Sequence, residues 1–149
     1  MVWKDPTSGA TQATTSIVRF PISGSSSRAA ASVISAPESG WWWNSAESGT
    51  GYFVERQGAT IFMAFYLYGS DGRAVWYVAS GTPVSTGSVL SMTGSLIEVG
   101  GGQTLTSNPQ ATTSTTIRGT ITLQFASSTA GVLPLPSGRQ VTLSRFTAF

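Results

Sequence analysis

The sequence predicts an all-β fold, an antiparallel meander forming a barrel-like or sandwich module with an aromatic core. Three observations carry this. Apolar and polar residues alternate with period two along most of the chain. Turn signals containing Gly, Asp and Ser separate the alternating runs. No segment joins a 3.6-residue period to a helix cap, and Ala29–Ala31 has room for one turn at most.

Taken in order, strands are expected at Thr14–Ile22, Gly40–Asn44, Gly51–Gln57, Thr60–Tyr68, Ala74–Ser80, Gly87–Val99, Thr115–Ala126, Gly131–Leu135 and Arg139–Thr147. Gln57-Gly58, Ser70-Asp71-Gly72, Gly100-Gly101-Gly102 and Ser137-Gly138 mark turns between them, and Asp71-Gly72 between aromatic strands is the strongest hairpin signal. Thr60–Tyr68 is apolar on both faces. Phe62, Ala64, Tyr66 and Tyr68 share one face, and Ile61, Met63, Phe65 and Leu67 share the other. Ala74–Ser80 reads the same way, with Val75, Tyr77 and Ala79 opposite Ala74, Trp76 and Val78. Such strands are covered on both sides, one face by the interior and the other by a second layer, a partner or a ligand. Thr115–Ala126 instead sets Ile117, Ile121, Leu123 and Phe125 against Thr116, Arg118, Thr120, Thr122 and Gln124, as a half-solvated strand does.

Residues 23–36 (SGSSSRAAASVISA) lack large side chains and read as a linker. They divide a terminal hairpin, residues 1–22, from a main β-module, residues 37–149. The hairpin parallels the chain's end. Val2, Pro6, Ser8-Gly9 and then Ile17-Val18-Arg19-Phe20 match Val132, Pro136, Ser137-Gly138 and then Leu143-Ser144-Arg145-Phe146. The spacer differs by three residues, which a hairpin loop absorbs. We read a repeat, with residues 1–22 as the last hairpin of a preceding module or as a strand-donating segment.

Composition excludes much chemistry. The chain of 149 residues has no His and no Cys. That removes the usual general base, thiol nucleophiles, disulfides and the commonest transition-metal ligands. Only 9% of residues are charged, and the net charge is +2. Seven arginines and Lys4 are scattered without a basic run, so no nucleic-acid footprint is present. The longest apolar run, Ile61–Tyr68, is strand-sized and far below the ~18 residues of a membrane helix. Met1 is followed by Trp3, Lys4 and Asp5 rather than an apolar signal core. Richness in Thr and Gly and freedom from thiols point to an extracellular or cell-surface location.

The most informative stretch is Gly40-Trp41-Trp42-Trp43-Asn44-Ser45-Ala46-Glu47-Ser48-Gly49-Thr50-Gly51-Tyr52-Phe53-Val54-Glu55. It continues through Gln57-Gly58, Tyr66-Leu67-Tyr68, Asp71-Gly72-Arg73, Trp76-Tyr77 and, at the end, Arg145-Phe146. This ordered set resembles a β-module of secreted bacterial proteins, whose pattern runs G-x-W-W-N-P-x-E-S-G-x-G-x-x-x-E-x-Q-G, an aromatic strand, a Y-D-x-x-G-x-P/A-x-W-Y hairpin and a closing Arg-Phe strand. The resemblance covers residues 37–146. It departs at Ser45, where the pattern has Pro, and at Gly69-Ser70, where the pattern brings Asp nearer the Tyr. Such modules occur repeated or attached to larger secreted proteins. The resemblance therefore implies an all-β fold, secretion and modularity, and it assigns no reaction.

Among the candidate residues, Trp41 and Trp43 share one strand face and Trp42 takes the other. One face fills the core. The other offers a platform for sugar rings or an apolar polymer, joined by Tyr66, Tyr68, Trp76 or Tyr77. Asn44, Glu47 and the glycines after it form a turn, with Glu47 accepting backbone N–H bonds or pairing with Arg73 or Arg145. A hard-cation site from Asn44, Glu47 and Asp71 lacks the Asp-x-Asp spacing that would support it. Arg19 and Arg145 occupy equivalent repeat positions and read as structural arginines bonding loop carbonyls or Glu47. A glycosidase needs two carboxylates at a set separation. Glu47 and Glu55 are the pair that a hairpin brings together, yet Glu55 beside Arg56 reads as a solvated pair.

No cofactor and no metal are implied. The expectation is a non-catalytic extracellular structural or assembly module, a tandem-array or fibre subunit joined to itself or a neighbouring copy by β-strand addition. The alternative is a carbohydrate- or polymer-binding module using exposed Trp and Tyr. A two-carboxylate hydrolase is a minor third.

Overall fold

The computed structural model describes residues 2–4, 7–9, 11–14, 17–18 and 36–147. The described residues are all-β, antiparallel and without a helix. A short hairpin, β1 (Val2–Lys4) and β2 (Thr11–Thr14), forms a two-stranded sheet of its own. The other strands are β3 (Gly40–Trp43), β4 (Gly51–Gln57), β5 (Thr60–Tyr68), β6 (Ala74–Gly81), β7 (Val84–Thr86), β8 (Val89–Gly100), β9 (Ser114–Phe125), β10 (Ala130–Pro134) and β11 (Gln140–Arg145). Eight of them close into a barrel in meander order, and β7 is an extra strand on β8. The choice between barrel and sandwich thus falls to the barrel.

Two joints close the ring. At one, β8 pairs with β7 through Val89–Ser91 and with β6 through Ile97–Val99. Between these stretches the backbones of β6 and β8 come close together. A Cβ on Gly81 would collide with the Thr93 carbonyl, and a Cβ on Gly94 with that of Ser80. Only glycine permits this approach. At the other joint β11 meets β3, with Ser144 opposite Trp43 and Arg145 opposite Trp42.

The interior is filled by side chains, as an eight-stranded barrel allows. Trp42 meets Phe125 edge-on at 5.5 Å, and Tyr52 meets Phe65 at 5.7 Å. Met63, Met92, Leu123 and Leu133 pack among them, all at 0% exposure. Edge-to-face geometry adds roughly 0.5–1.5 kcal/mol per pair beyond burial. The Trp42 indole N–H donates to the Glu38 carbonyl at 3.0 Å, which satisfies its buried donor.

Two expectations need correction. The strand expected over Thr14–Ile22 is instead β2, ending at Thr14; Ile17 and Val18 lie outside strands, and the other positions up to Ile22 lie outside the described residues. The clean alternation expected across Thr115–Ala126 breaks at Ile117, which is 70% exposed. Leu96 pairs with Gly119 and Ile97 with Ile117, so a bulge inserts Arg118 and turns Ile117 away from the interior. Of the expected linker only Ala36 is described, and it is buried.

The outer surface is divided chemically. Over β8 and β9 it carries hydroxyls, with Thr93 opposite Thr122 and Ser95 opposite Thr120. The Thr93 and Thr122 hydroxyls lie 2.9 Å apart in a hydrogen bond. Over β3 to β6 it is aromatic.

Candidate functional site

The aromatic side follows from register. Trp41 lies opposite Phe53, Phe53 opposite Ala64, Gly51 opposite Tyr66, and Tyr66 opposite Trp76. Because paired residues share a face, this set covers the outside of the barrel. The Trp41 ring meets Tyr66 at 5.2 Å and Phe53 edge-on at 5.5 Å. Trp43 packs edge-on against Phe146 at 5.0 Å. Trp41 stays 45% exposed, Tyr66 39%, Trp76 43% and Tyr68 57%.

Between these rings runs an open groove of about 530 Å³, lined by residues 41–43, 49–51, Tyr66 and Phe146. That volume lies in the range of small-molecule sites. Gly51 makes the gap. It lies opposite Tyr66 on the outer face and carries no side chain. A Cβ there would meet nothing nearer than the Trp42 carbonyl at 3.9 Å. No charged side chain lines the groove, and Thr50 supplies a hydroxyl that donates to the Glu47 carbonyl at 2.8 Å.

A polar cluster lies where β3 turns into β4. Glu47 Oε1 accepts from Arg139 Nη1 at 2.6 Å and from Asn44 Nδ2 at 2.9 Å. Asn44 Oδ1 accepts from the Ala46 N–H at 3.0 Å. Together these set the turn that presents Gly49, Thr50 and Gly51 to the groove. Beneath it, the Tyr52 hydroxyl is buried with no hydrogen-bond partner. Burial pushes the phenol up to about 12, with Glu47 adding to the rise and Arg139 opposing it.

The other predicted residues fall as follows. Trp42 is a core residue at 1% exposure. Tyr77 lies opposite Phe65 and packs against the core, so it faces away from Trp76 and the groove. Glu47 takes Arg139 as its ion-pair partner rather than Arg73 or Arg145. Arg73 lies 3.8 Å from Asp71, and the Asp71 carboxylate accepts from the Arg73 N–H at 3.1 Å, which closes the β5–β6 turn. Arg145 donates to the carbonyl oxygens of Trp41 and Phe146, and its Nε lies 3.9 Å from Glu38. Its guanidinium occupies the space where a Gly40 side chain would stand, and Gly40 has φ 133°. Arg19 lies outside the described residues. Among the described residues no three His, Cys, Asp or Glu gather to hold a metal ion. No helix among them is long and apolar enough to cross a membrane.

Sequence reasoning missed Gly51 and Phe146 as groove residues, Phe53 as the ring behind Trp41, and Arg139 as the partner of Glu47. Gly51 and Phe53 were within reach, since pairing Gly51–Gln57 with Thr60–Tyr68 through the Gln57-Gly58 turn sets Gly51 opposite Tyr66. Phe146 and Arg139 depend on β11 returning beside β3, which no local signal marks.

Comparisons with models of known protein families, with curated proteins and with solved structures give no match.

Proposed function

We propose that this chain is a non-catalytic, extracellular binding module whose outer aromatic groove holds a polysaccharide. One observation carries the reading. Trp41, Tyr66, Trp43 and Phe146 enclose an open, uncharged groove on the outside of a barrel whose interior is already filled. The C–H faces of a pyranose ring are apolar and stack on Trp and Tyr, while its hydroxyls at the ring edge stay in water. Exposed aromatics cost solubility unless they serve a contact. The absence of His and Cys from the chain agrees with binding rather than turnover, and its resemblance to modules of secreted proteins agrees with an extracellular place.

Retention on insoluble cellulose, chitin, xylan and mannan tests this. The chain is expected to be retained on at least one, and Trp41→Ala and Tyr66→Ala to be released from it. Failure to bind any of them, or full retention of both variants, overturns the reading. Retention on phenyl-Sepharose without retention on a glycan overturns it as well.

A second reading, assembly by strand addition, is favoured by the terminal hairpin. The β1–β2 turn carries Ser8-Gly9 with Gly9 at φ 69°, and the β10–β11 turn carries Ser137-Gly138 with Gly138 at φ 85°. A hairpin that forms a two-stranded sheet of its own has strand edges to offer a neighbouring sheet. Light scattering on the chain with and without residues 1–22 decides it. A drop in particle size on deletion supports assembly, and an unchanged size rejects it.

A further inference from the structure

We propose that the ligand of this face is a linear, uncharged glycan chain that occupies two adjoining subsites, one over Trp41 and one over Trp76. This rests on the binding reading above and names the class of ligand. On the far side of Tyr66 lies a second depression of about 270 Å³, walled by Tyr68, Ala74, Val75 and Trp76. Gly49 and Tyr66 line both it and the groove, so the two adjoin.

The line of contacts crosses the strands. Gly51, Tyr66 and Trp76 are register partners on β4, β5 and β6, and Trp41 stands on β3 beyond them. Three strand spacings separate β3 from β6, a span of about 14 Å. A single sugar ring over Trp41 does not reach Trp76, whereas an extended chain touches both. Tyr66, tilted at 43° to Trp41, stands between them as the shared wall.

Charge selects the chemistry. Neither depression is lined by a charged side chain. A uronic acid or sulfated polymer would lose hydration there, and the cation beside Trp41, Arg145, is already held by the carbonyls of Trp41 and Phe146 and faces Glu38. A neutral chain loses little, because the exposed rings leave its hydroxyls in solvent.

Calorimetric titration of the full chain with β-1,4-linked glucose and N-acetylglucosamine oligomers, from disaccharide to hexasaccharide, tests the inference. In the series that binds, affinity is expected to rise about tenfold or more with length and then level off. Trp76→Ala should remove that gain and bring the hexasaccharide down to the affinity of the disaccharide. Ala74→Lys, which adds a charge to the second depression without removing a ring, should do the same. Equal affinity for the shortest and longest oligomer, or a hexasaccharide indifferent to both variants, overturns the extended ligand while the binding reading stands. Tighter binding of polygalacturonate than of the neutral oligomers overturns the uncharged class. Loss of retention on every polysaccharide removes the binding reading itself, a separate outcome.

Discussion

Arg145 Nη1 donates to the carbonyl oxygen of Trp41 at 3.0 Å and so bridges β11 and β3 where the barrel closes. The Phe146 N–H donates to the same oxygen at 2.8 Å. The joint has only two register pairs, so these side bonds form a large share of it. Gly40 supplies the space in which the guanidinium lies. Ring closure and groove are thereby linked, because the strand held in place carries Trp41 and Trp43.

Arg145→Met is therefore expected to lower stability by roughly 1–3 kcal/mol, the cost of losing two hydrogen bonds from a charged donor at the joint. Arg145→Lys should not restore it, since a single ammonium does not reproduce the planar fork. Gly40→Ala should act in the same direction. Urea unfolding monitored by tryptophan fluorescence reads all three, and an unchanged midpoint for Arg145→Met would remove Arg145 from the closure.

The neighbouring Trp41 and Trp42 should separate in unfolding experiments. Trp42→Ala is expected to cost about 3–5 kcal/mol or to prevent folding, because it opens a cavity against Phe125. Trp41→Ala should cost about 1–2 kcal/mol, since its ring lies half in solvent and packs only on Phe53 and Tyr66 among aromatic neighbours. Equal costs for the two would contradict the assignment of faces.

Tyr52 makes stability fall in alkali. Its phenol is raised to about 12 in the fold against 10.0 in the ordinary side chain. The neutral form is thus favoured in the native state. Its contribution is complete below pH 10 and is lost as pH rises through about 12, a loss on the order of 2–3 kcal/mol. Tyr52→Phe should remove that alkaline limb and leave neutral stability unchanged or improved, because the hydroxyl has no partner. Urea midpoints between pH 8 and pH 12 measure it.

Glu98 acts at the opposite end of the scale. A 2.7 Å hydrogen bond from Arg118 holds its carboxylate below the ordinary glutamate value, with desolvation opposing. Stability from this pair is present above the unfolded carboxylate's value and is lost as acid protonates the folded one. Glu98→Gln should flatten the acid limb of the stability curve and leave the alkaline limb untouched. An acid limb equally steep in the variant would remove the pair from the acid response.

Some of this molecule is legible along the chain, and some is not. Period two and the Asp71-Gly72 turn carry the hairpins, because both signals are local. The opposite facing of Trp41 and Trp42 follows from the same alternation. The solvent position of Ile117 does not, since the bulge at Arg118 depends on the partner strand. The Arg139–Glu47 pair and the Arg145 bond to Trp41 join residues about a hundred positions apart, and only ring closure brings them together. The groove lies between these cases. Its rings are visible as a bias in composition, but its shape comes from the blank at Gly51, which has meaning only once Tyr66 is known to lie opposite.

Gly51→Leu tests the central claim most directly. The site lies outside the left-handed region and has open space ahead of its Cβ, so the leucine fits the strand and fills the groove without removing a ring. Affinity electrophoresis through gels containing the soluble form of the polysaccharide that retains the parent chain gives the readout. The account predicts a retarded parent and a Gly51→Leu variant that migrates as though no polysaccharide were present, with an unchanged urea midpoint. A correctly folded variant retarded as strongly as the parent would contradict it.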